Sequence, residues 1–306
     1  MVVTGLSGRL GRRLARVLHR ERTVIGLDPR PCSDLPADVE HLALELRKSA
    51  VRGVFTRHNV SAIVHLGMTH NPRTLRAEAP SQNLLAFRKV IELAETFKIP
   101  KVVLLSSANI YGARAENAQF LTENAPLLAG ERSHEMQTLV ELDMYAQSVF
   151  WKLPDVEIVI VRPANILGTV RNAPSNYLRL KVVPTLLGFD PMIQTVHQDD
   201  VVQAISRALR PGVRGVFNIA GPPPVALSKA LTILDRKSMS VPYSLAKSGL
   251  SGLFAIKMSK FPAAEVDFIR YVCMVDDNHA RNKLGYVPRF GLEETLRAVD
   301  QERWAR

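Results

Sequence analysis

Residues 4–11 read T-G-L-S-G-R-L-G, that is Thr4, Gly5, Leu6, Ser7, Gly8, Arg9, Leu10 and Gly11. They follow a short apolar run, Val2–Val3. They open a segment whose apolar residues Leu10, Leu14, Val17 and Leu18 recur at helical spacing. Strand, glycine-rich turn and helix in that order make a cradle for pyrophosphate. Gly5 serves the tight turn, Gly8 the close approach of backbone to phosphate, and Gly11 the close packing of helix on strand. The helix start adds N–H donors and partial positive charge. Ser7, Arg9 and Leu10, inside the same stretch, are expected beside the ligand.

The next β-rich run, Thr23–Leu27, stops at Asp28-Pro29, and Asp28 lies 20 residues past Gly8. A carboxylate there accepts bonds from the adenosine ribose hydroxyls and repels a 2′-phosphate. The expected cofactor is therefore NAD, with NADP second, because Arg12 and Arg30 would attract such a phosphate. A turn residue before proline is the competing reading of Asp28.

Beyond it the chain alternates. His41–Leu44, Ser61–Leu66, Lys101–Leu105 and Val156–Val161 are β-rich runs, several of them continuously apolar, as in strands buried on both faces. Asn83–Phe97 and Ser133–Lys152 have helical patterns, the second ended by Pro154. Such alternation predicts an α/β Rossmann fold: a doubly wound parallel sheet with helices on both faces. Residues 1–168 are expected to be the dinucleotide-binding core. Residues 169–306, punctuated by prolines, are expected to interleave the remaining core elements with a small C-terminal substrate lobe in one compact unit.

Composition narrows the classes. The 306 residues are 46% hydrophobic and 23% charged, ordinary for a globular protein. Two cysteines, Cys32 and Cys273, exclude a disulfide framework, and no spacing suits a metal site. No signal sequence or long apolar span is visible, so a cytoplasmic location is expected. The net charge of +11 is spread without basic runs. It suits a basic surface first, an anionic substrate or membrane surface second, and specific nucleic-acid binding a distant third. In the segment 246–261 (AKSGLSGLFAIKMSKF), lysines alternate with apolar residues. A core-facing lid helix is its expected role, with contact to a membrane surface as the alternative.

From Thr4 to about Leu296 the chain resembles the extended short-chain dehydrogenase/reductase family, the nucleotide-sugar epimerases and dehydratases. Residues 4–11 resemble its TGxxGxxG, and residues 106–112 (SSANIYG) its SSxxVYG. Residues 162–168 (RPANILG) resemble RPxNxYG, and residues 197–201 (HQDDV) resemble HVDDV. His65-Leu66-Gly67, Asn83, residues 218–221 (NIAG) and 284–288 (LGYVP) fall where the family has further landmarks. The resemblance implies a seven-stranded Rossmann domain. It also implies cofactor contacts from Glu45-Leu46 at adenine, from Leu66 and Gly67 along the cofactor, and from Ser106, Arg162 and Pro163. Ser107 would hydrogen-bond the reacting substrate oxygen. A homodimer through 83–97 and 133–152 is implied as well.

The departures from the family are as informative. Its Tyr-x-x-x-Lys acid/base pair would fall at His134 and Thr138, and neither residue type is present. Tyr145, on the same predicted helix, has Val149 four positions on. Tyr177/Lys181 and Tyr243/Lys247 have the spacing but follow the sixth strand, and are read as chance matches. His134 can replace the tyrosine, since imidazole titrates near neutral pH, although a histidine at a helix start is also commonplace. Only three residues precede Thr4, which implies a shortened first strand or an earlier start.

Two functions stay open. One is an oxidoreductase or epimerase acting on a hydroxyl-bearing substrate, in which hydride passes to or from nicotinamide, Ser107 orients the oxygen, and His134 or water handles the proton. The other is a catalytically silent dinucleotide-binding sensor or scaffold.

Overall fold

The chain starts β1 (Val2–Thr4), α1 (Arg9–Leu18), β2 (Ile25–Leu27), β3 (Glu40–Leu42), α2 (Val51–Arg57), β4 (Ile63–His65) and α3 (Gln82–Thr96). It continues with β5 (Lys101–Leu105), α4 (His134–Lys152), β6 (Glu157–Pro163), β7 (Asn165–Leu167), α5 (Ala173–Leu178) and β8 (Val182–Leu186). Then come β9 (Met192–Ile193), β10 (Thr195–His197), α6 (Gln198–Ala208), β11 (Gly215–Ile219), β12 (Val225–Ala226), α7 (Leu227–Ile233) and β13 (Lys237–Val241). Short helices at Asn278–Leu284 and Leu292–Arg297 follow. The computed structural model describes residues 1–68, 82–131, 134–246 and 267–304.

Among the described residues, seven strands form one parallel sheet in the order β11-β6-β5-β4-β1-β2-β3. β1 is central, and Thr4 is in register with Leu27 on one side and His65 on the other. The chain winds outward from β1 in both directions. The crevice therefore opens at the C-terminal ends of β1 and β4, where an open α/β sheet binds its ligand.

Strand alternation divides the core into two layers. Val3, Val64, Val103 and Val159 face α1 and α6, where Leu14, Val201 and Ile205 receive them. Val2, Ile63, Val102 and Ile158 face the other way, onto Val54, Phe87 and Leu142 of α2, α3 and α4. Both faces are covered, so these strands read as continuous apolar runs. Each buried aliphatic side chain contributes about 1.5–3 kcal/mol.

The stretch from β10 to β11 returns to this core although it follows residue 168. β6 and β11 pair over five residues, from Gly215↔Val159 to Ile219↔Pro163. A separate cluster marks the C-terminal lobe: Leu178, Val183, Leu227, Leu231 and Leu296 pack around the parallel pair β8–β13. α2 was not foreseen, because its seven residues carry Gly53 in mid-helix and too few turns for a clear period. The run His41–Leu44 is a strand only to Leu42. No helix among the described residues is long and apolar enough to cross a membrane. Residues 247–261 of the lysine-rich segment lie outside the described residues.

Candidate functional site

The glycine loop sits at the end of β1. Gly5 has φ +74°, and a Cβ there would come within 2.7 Å of the Gly67 backbone. The loop after β1 can therefore approach the end of β4 this closely only because position 5 is glycine. A Cβ on Gly11 would lie 2.5 Å from the Gly5 oxygen, so Gly11 sets how closely α1 packs on the loop. Gly8 differs. Its backbone is extended, and a Cβ would meet only the Gly5 oxygen, at 3.1 Å. Gly8 caps α1 without a side chain, and the first turn of α1 carries no acidic residue. The helix start is therefore shaped for an anion supplied from outside.

Asp28 stands at the end of β2 beside this loop, 3% exposed. One carboxylate oxygen accepts from Ser7 N at 3.2 Å and Arg30 Nη2 at 2.8 Å. The other accepts from Arg30 N and Arg30 Nε, both at 3.0 Å. Burial pushes this carboxyl up, but the Arg30 bonds and charge outweigh it and hold it below the usual range. The Ser7 hydroxyl donates to the Arg30 carbonyl at 2.7 Å, and His41 Nε2 lies 3.2 Å from the Asp28 carbonyl.

Gly67 and Leu66 line the β4 side, and Leu66 N donates to Thr4 O at 3.1 Å. His65 is fully buried there, with Nδ1 2.7 Å from Thr4 Oγ1. Its Nε2 meets no partner among the described residues, and burial pulls its pKa down to about 4. Beyond β3, Leu46 is buried and Glu45 is half-buried, paired with Arg47. The Arg9 guanidinium donates to Thr169 O and ties α1 to the segment after β7.

At the ends of β5 and β6 lies a buried polar network. Asp143 of α4 is 0% exposed and pairs with Arg162, also 0% exposed. The Ser106 hydroxyl donates to Asp143 Oδ2 at 2.6 Å. Arg162 Nη1 donates to Tyr111 Oη at 2.7 Å and to Glu123 O at 3.2 Å, and Tyr111 donates to Asn218 at 2.8 Å. The Ser106 and Arg162 side chains are therefore both bonded to Asp143 inside the core. The reason is electrostatic: a buried guanidinium is tolerated only when paired and fully hydrogen-bonded. Pro163 is buried at the end of β6. Burial pushes the Tyr111 phenol up to about 12, against the pull of Arg162, so it stays protonated at neutral pH.

Ser107 remains at the cleft edge. It caps the 3-10 turn Ala108–Tyr111, its Oγ accepting from Asn109 N at 3.2 Å. This leaves its O–H free to point elsewhere. Ile110 of that turn packs on Leu139 and Val140 of α4, so the turn that Ser107 caps rests against this helix. His134 is the first residue of α4, and its side chain lies outside the described residues. Tyr145 faces away, edge-on to Phe87 of α3 at 6.2 Å. Tyr177 donates to Pro184 O at 2.7 Å inside the C-terminal lobe. Tyr243 donates to Asp267 at 3.2 Å, and Lys247 lies outside the described residues.

The later landmarks brace the core. His197 caps α6 and stacks on Phe290 at 3.7 Å. Asp200 accepts from Arg289 N at 2.9 Å, and Tyr286 donates to Ala220 O at 2.8 Å. Sequence reasoning missed Asp143 and Glu123 and marked Asn218 only as part of a landmark, because their partners are assembled only by the tertiary fold. It noted Arg30, but not its hold on Asp28.

Comparison with known proteins agrees with this architecture. The uncharacterized protein Rv0501 of Mycobacterium tuberculosis is 24% identical over 97% of this chain and 82% of its own length. The UDP-glucuronate 4-epimerase of Thermodesulfobacterium geofontis is 22% identical over 77% of this chain and 79% of its own. The Thermus thermophilus UDP-glucose 4-epimerase complex with NAD superposes with a TM-score of 0.76 at 18% identity, covering 100% of this chain and 99% of that one. The Bacillus anthracis dTDP-glucose 4,6-dehydratase in complex with NAD gives 0.76 at 17% identity, covering 100% and 96%. A family model matches residues 1–220, which hold the whole parallel sheet, the glycine cradle and Ser107. The chain belongs to the NAD dependent epimerase/dehydratase family.

Proposed function

We propose that this chain is an NAD-dependent oxidoreductase of the epimerase/dehydratase type, acting on a hydroxyl-bearing substrate, with nucleotide-sugars the leading class. The observation that carries the reading is the cradle itself: Gly5 and Gly11, where a Cβ would strike backbone, and the open Gly8 between them, set at the switch point of the sheet beside a buried carboxylate. The names of the relatives support the substrate class.

Gly5, Ser7, Gly8, Arg9, Leu10 and Gly11 would hold the pyrophosphate, Asp28 the adenosine ribose, and Glu45 and Leu46 the adenine. Leu66, Gly67 and Pro163 would line the cofactor's length, with Ser106 and Arg162 supporting it from beneath. NAD, when bound, supplies the hydride acceptor. Ser107 would donate its free O–H to the substrate oxygen and fix its direction. His134, at the start of the helix beside Ser107, would take and return the substrate's proton in place of the family's tyrosine. The reading places the protein in the cytoplasm, where two unpaired thiols are stable. A second copy would dock on the α3/α4 face, where Met144 and Trp151 are 57% and 89% exposed. Sedimentation of wild type and Trp151→Glu separates that dimer from a monomer.

A silent binding module is the second reading, favoured by one observation: Tyr145, the tyrosine of α4, points into α3 rather than toward Ser107. The test is turnover of UDP-glucose and UDP-glucuronate with NAD, followed by nicotinamide absorbance and product analysis. Conversion by wild type, lost about 100-fold in His134→Ala and Ser107→Ala, is the expected result. Cofactor binding without conversion of either sugar, and no change in His134→Ala, would establish the silent reading instead.

A further inference from the structure

The buried carboxylate at the adenosine end is already full. A carboxylate has about four lone-pair sites. Asp28 uses them on four protein donors: Ser7 N, Arg30 N, Arg30 Nε and Arg30 Nη2. Two of the four come from one guanidinium, held in the bidentate geometry that makes such pairs strong. A ribose diol can reach Asp28 only if the Arg30 side chain lets go.

The two residues differ in freedom. The Asp28 side chain is 2% exposed and that of Arg30 67% exposed. The Arg30 backbone is pinned, because its N–H donates to Asp28 and its carbonyl accepts from the Ser7 hydroxyl at 2.7 Å. The guanidinium can therefore swing about a fixed Cα at the mouth of the ribose corner. While it stays, it cancels the charge that would repel a 2′-phosphate.

We propose that Arg30 sets cofactor discrimination in this chain by occupying Asp28, so that the adenosine corner accepts a 2′-phosphate and NADP(H) binds with an affinity comparable to NAD(H). A carboxylate at the end of β2 would alone exclude the phosphate. Here its charge and its acceptor sites are spent on Arg30. With a 2′-phosphate present, the guanidinium keeps one face on Asp28 and offers the other to the phosphate. With an unphosphorylated ribose, it turns out to solvent and yields Asp28 to the diol.

The inference rests on the dinucleotide reading above, and calorimetric titration of NADH and NADPH separates the two. Wild type should bind both, with dissociation constants within about tenfold. Arg30→Ala removes the charge partner of a buried carboxylate but keeps its two backbone donors, Ser7 N and the N–H of residue 30, so it should fold with a lowered urea midpoint. It should weaken NADPH about tenfold or more and leave NADH equal or tighter, because the phosphate loses a charge-assisted partner and Asp28 is freed. Wild-type preference for NADH above about 100-fold, or an unchanged ratio in Arg30→Ala, would overturn the proposal and leave NAD binding intact. Binding of neither cofactor by folded wild type would overturn the dinucleotide reading itself.

Discussion

Asp143 holds Arg162 out of reach of bulk solvent. Both side chains are 0% exposed, and Ser106, Tyr111 and Gln147 complete the bonding. Removing one partner of a buried pair leaves an uncompensated charge, costing about 3–5 kcal/mol. Asp143→Ala should lose that much in urea unfolding, and Asp143→Asn less, since an amide still accepts one bond. His65 carries a second residue-scale prediction. Burial lowers its pKa from 6.5 to about 4, so between these values the unfolded chain binds more protons than the folded one. Stability must therefore fall as pH drops from 6.5 toward 4, by about 3 kcal/mol at one pKa unit per 1.36 kcal/mol. His65→Leu should flatten that part of the profile, read by urea unfolding at a series of pH values. Single residues were unevenly legible. The tight turn at Gly5 and the close packing at Gly11 were legible through spacing. Asp143 was not, because its partners Arg162 and Ser106 lie 19 and 37 positions away and meet it only once β5, β6 and α4 are assembled.

The strand–loop–helix unit from β1 to α1 is where local sequence and tertiary packing agree most closely. Alanine favours a helix interior over glycine by about 1 kcal/mol. At Gly11 that gain is outweighed, since the added Cβ would meet backbone oxygens of Gly5 and Leu6 at 2.5 and 2.7 Å. Overpacking against backbone costs about 1–3 kcal/mol. Gly11→Ala should therefore unfold at lower urea and move α1 off the loop, weakening NADH in the same titration. β4, β5 and β6 were legible as apolar runs because both faces of the sheet are covered. α2 was not, being a seven-residue helix whose only clear signal is the contact of Val51, Val54 and Phe55 with the sheet. α4 was legible as a helix, yet its direction was not. Knowing that Asp143 faces the sheet and Tyr145 faces α3 requires the neighbouring helix.

At the scale of the molecule, the seven-stranded parallel sheet brings a glycine loop, a buried carboxylate and a strand-end serine to one edge from residues 5–11, 28 and 107. Long-range pairing also explains why the sequence beyond residue 168 was hard to read. β11 and α6 complete the first core from residues 198–219, while intervening strands of two to five residues build the lobe. Short strands give little periodicity, and their partners are set by the fold. The central claim is that the cradle holds a dinucleotide. Calorimetric titration of NADH into wild type and Gly8→Val tests it most directly. Position 8 has an extended backbone that any residue adopts, and its Cβ has only one near neighbour, so the variant should keep its stability within about 1 kcal/mol. The account predicts one NADH per wild-type chain and at least a tenfold loss in Gly8→Val. Equal binding by the two, or none by folded wild type, would contradict it.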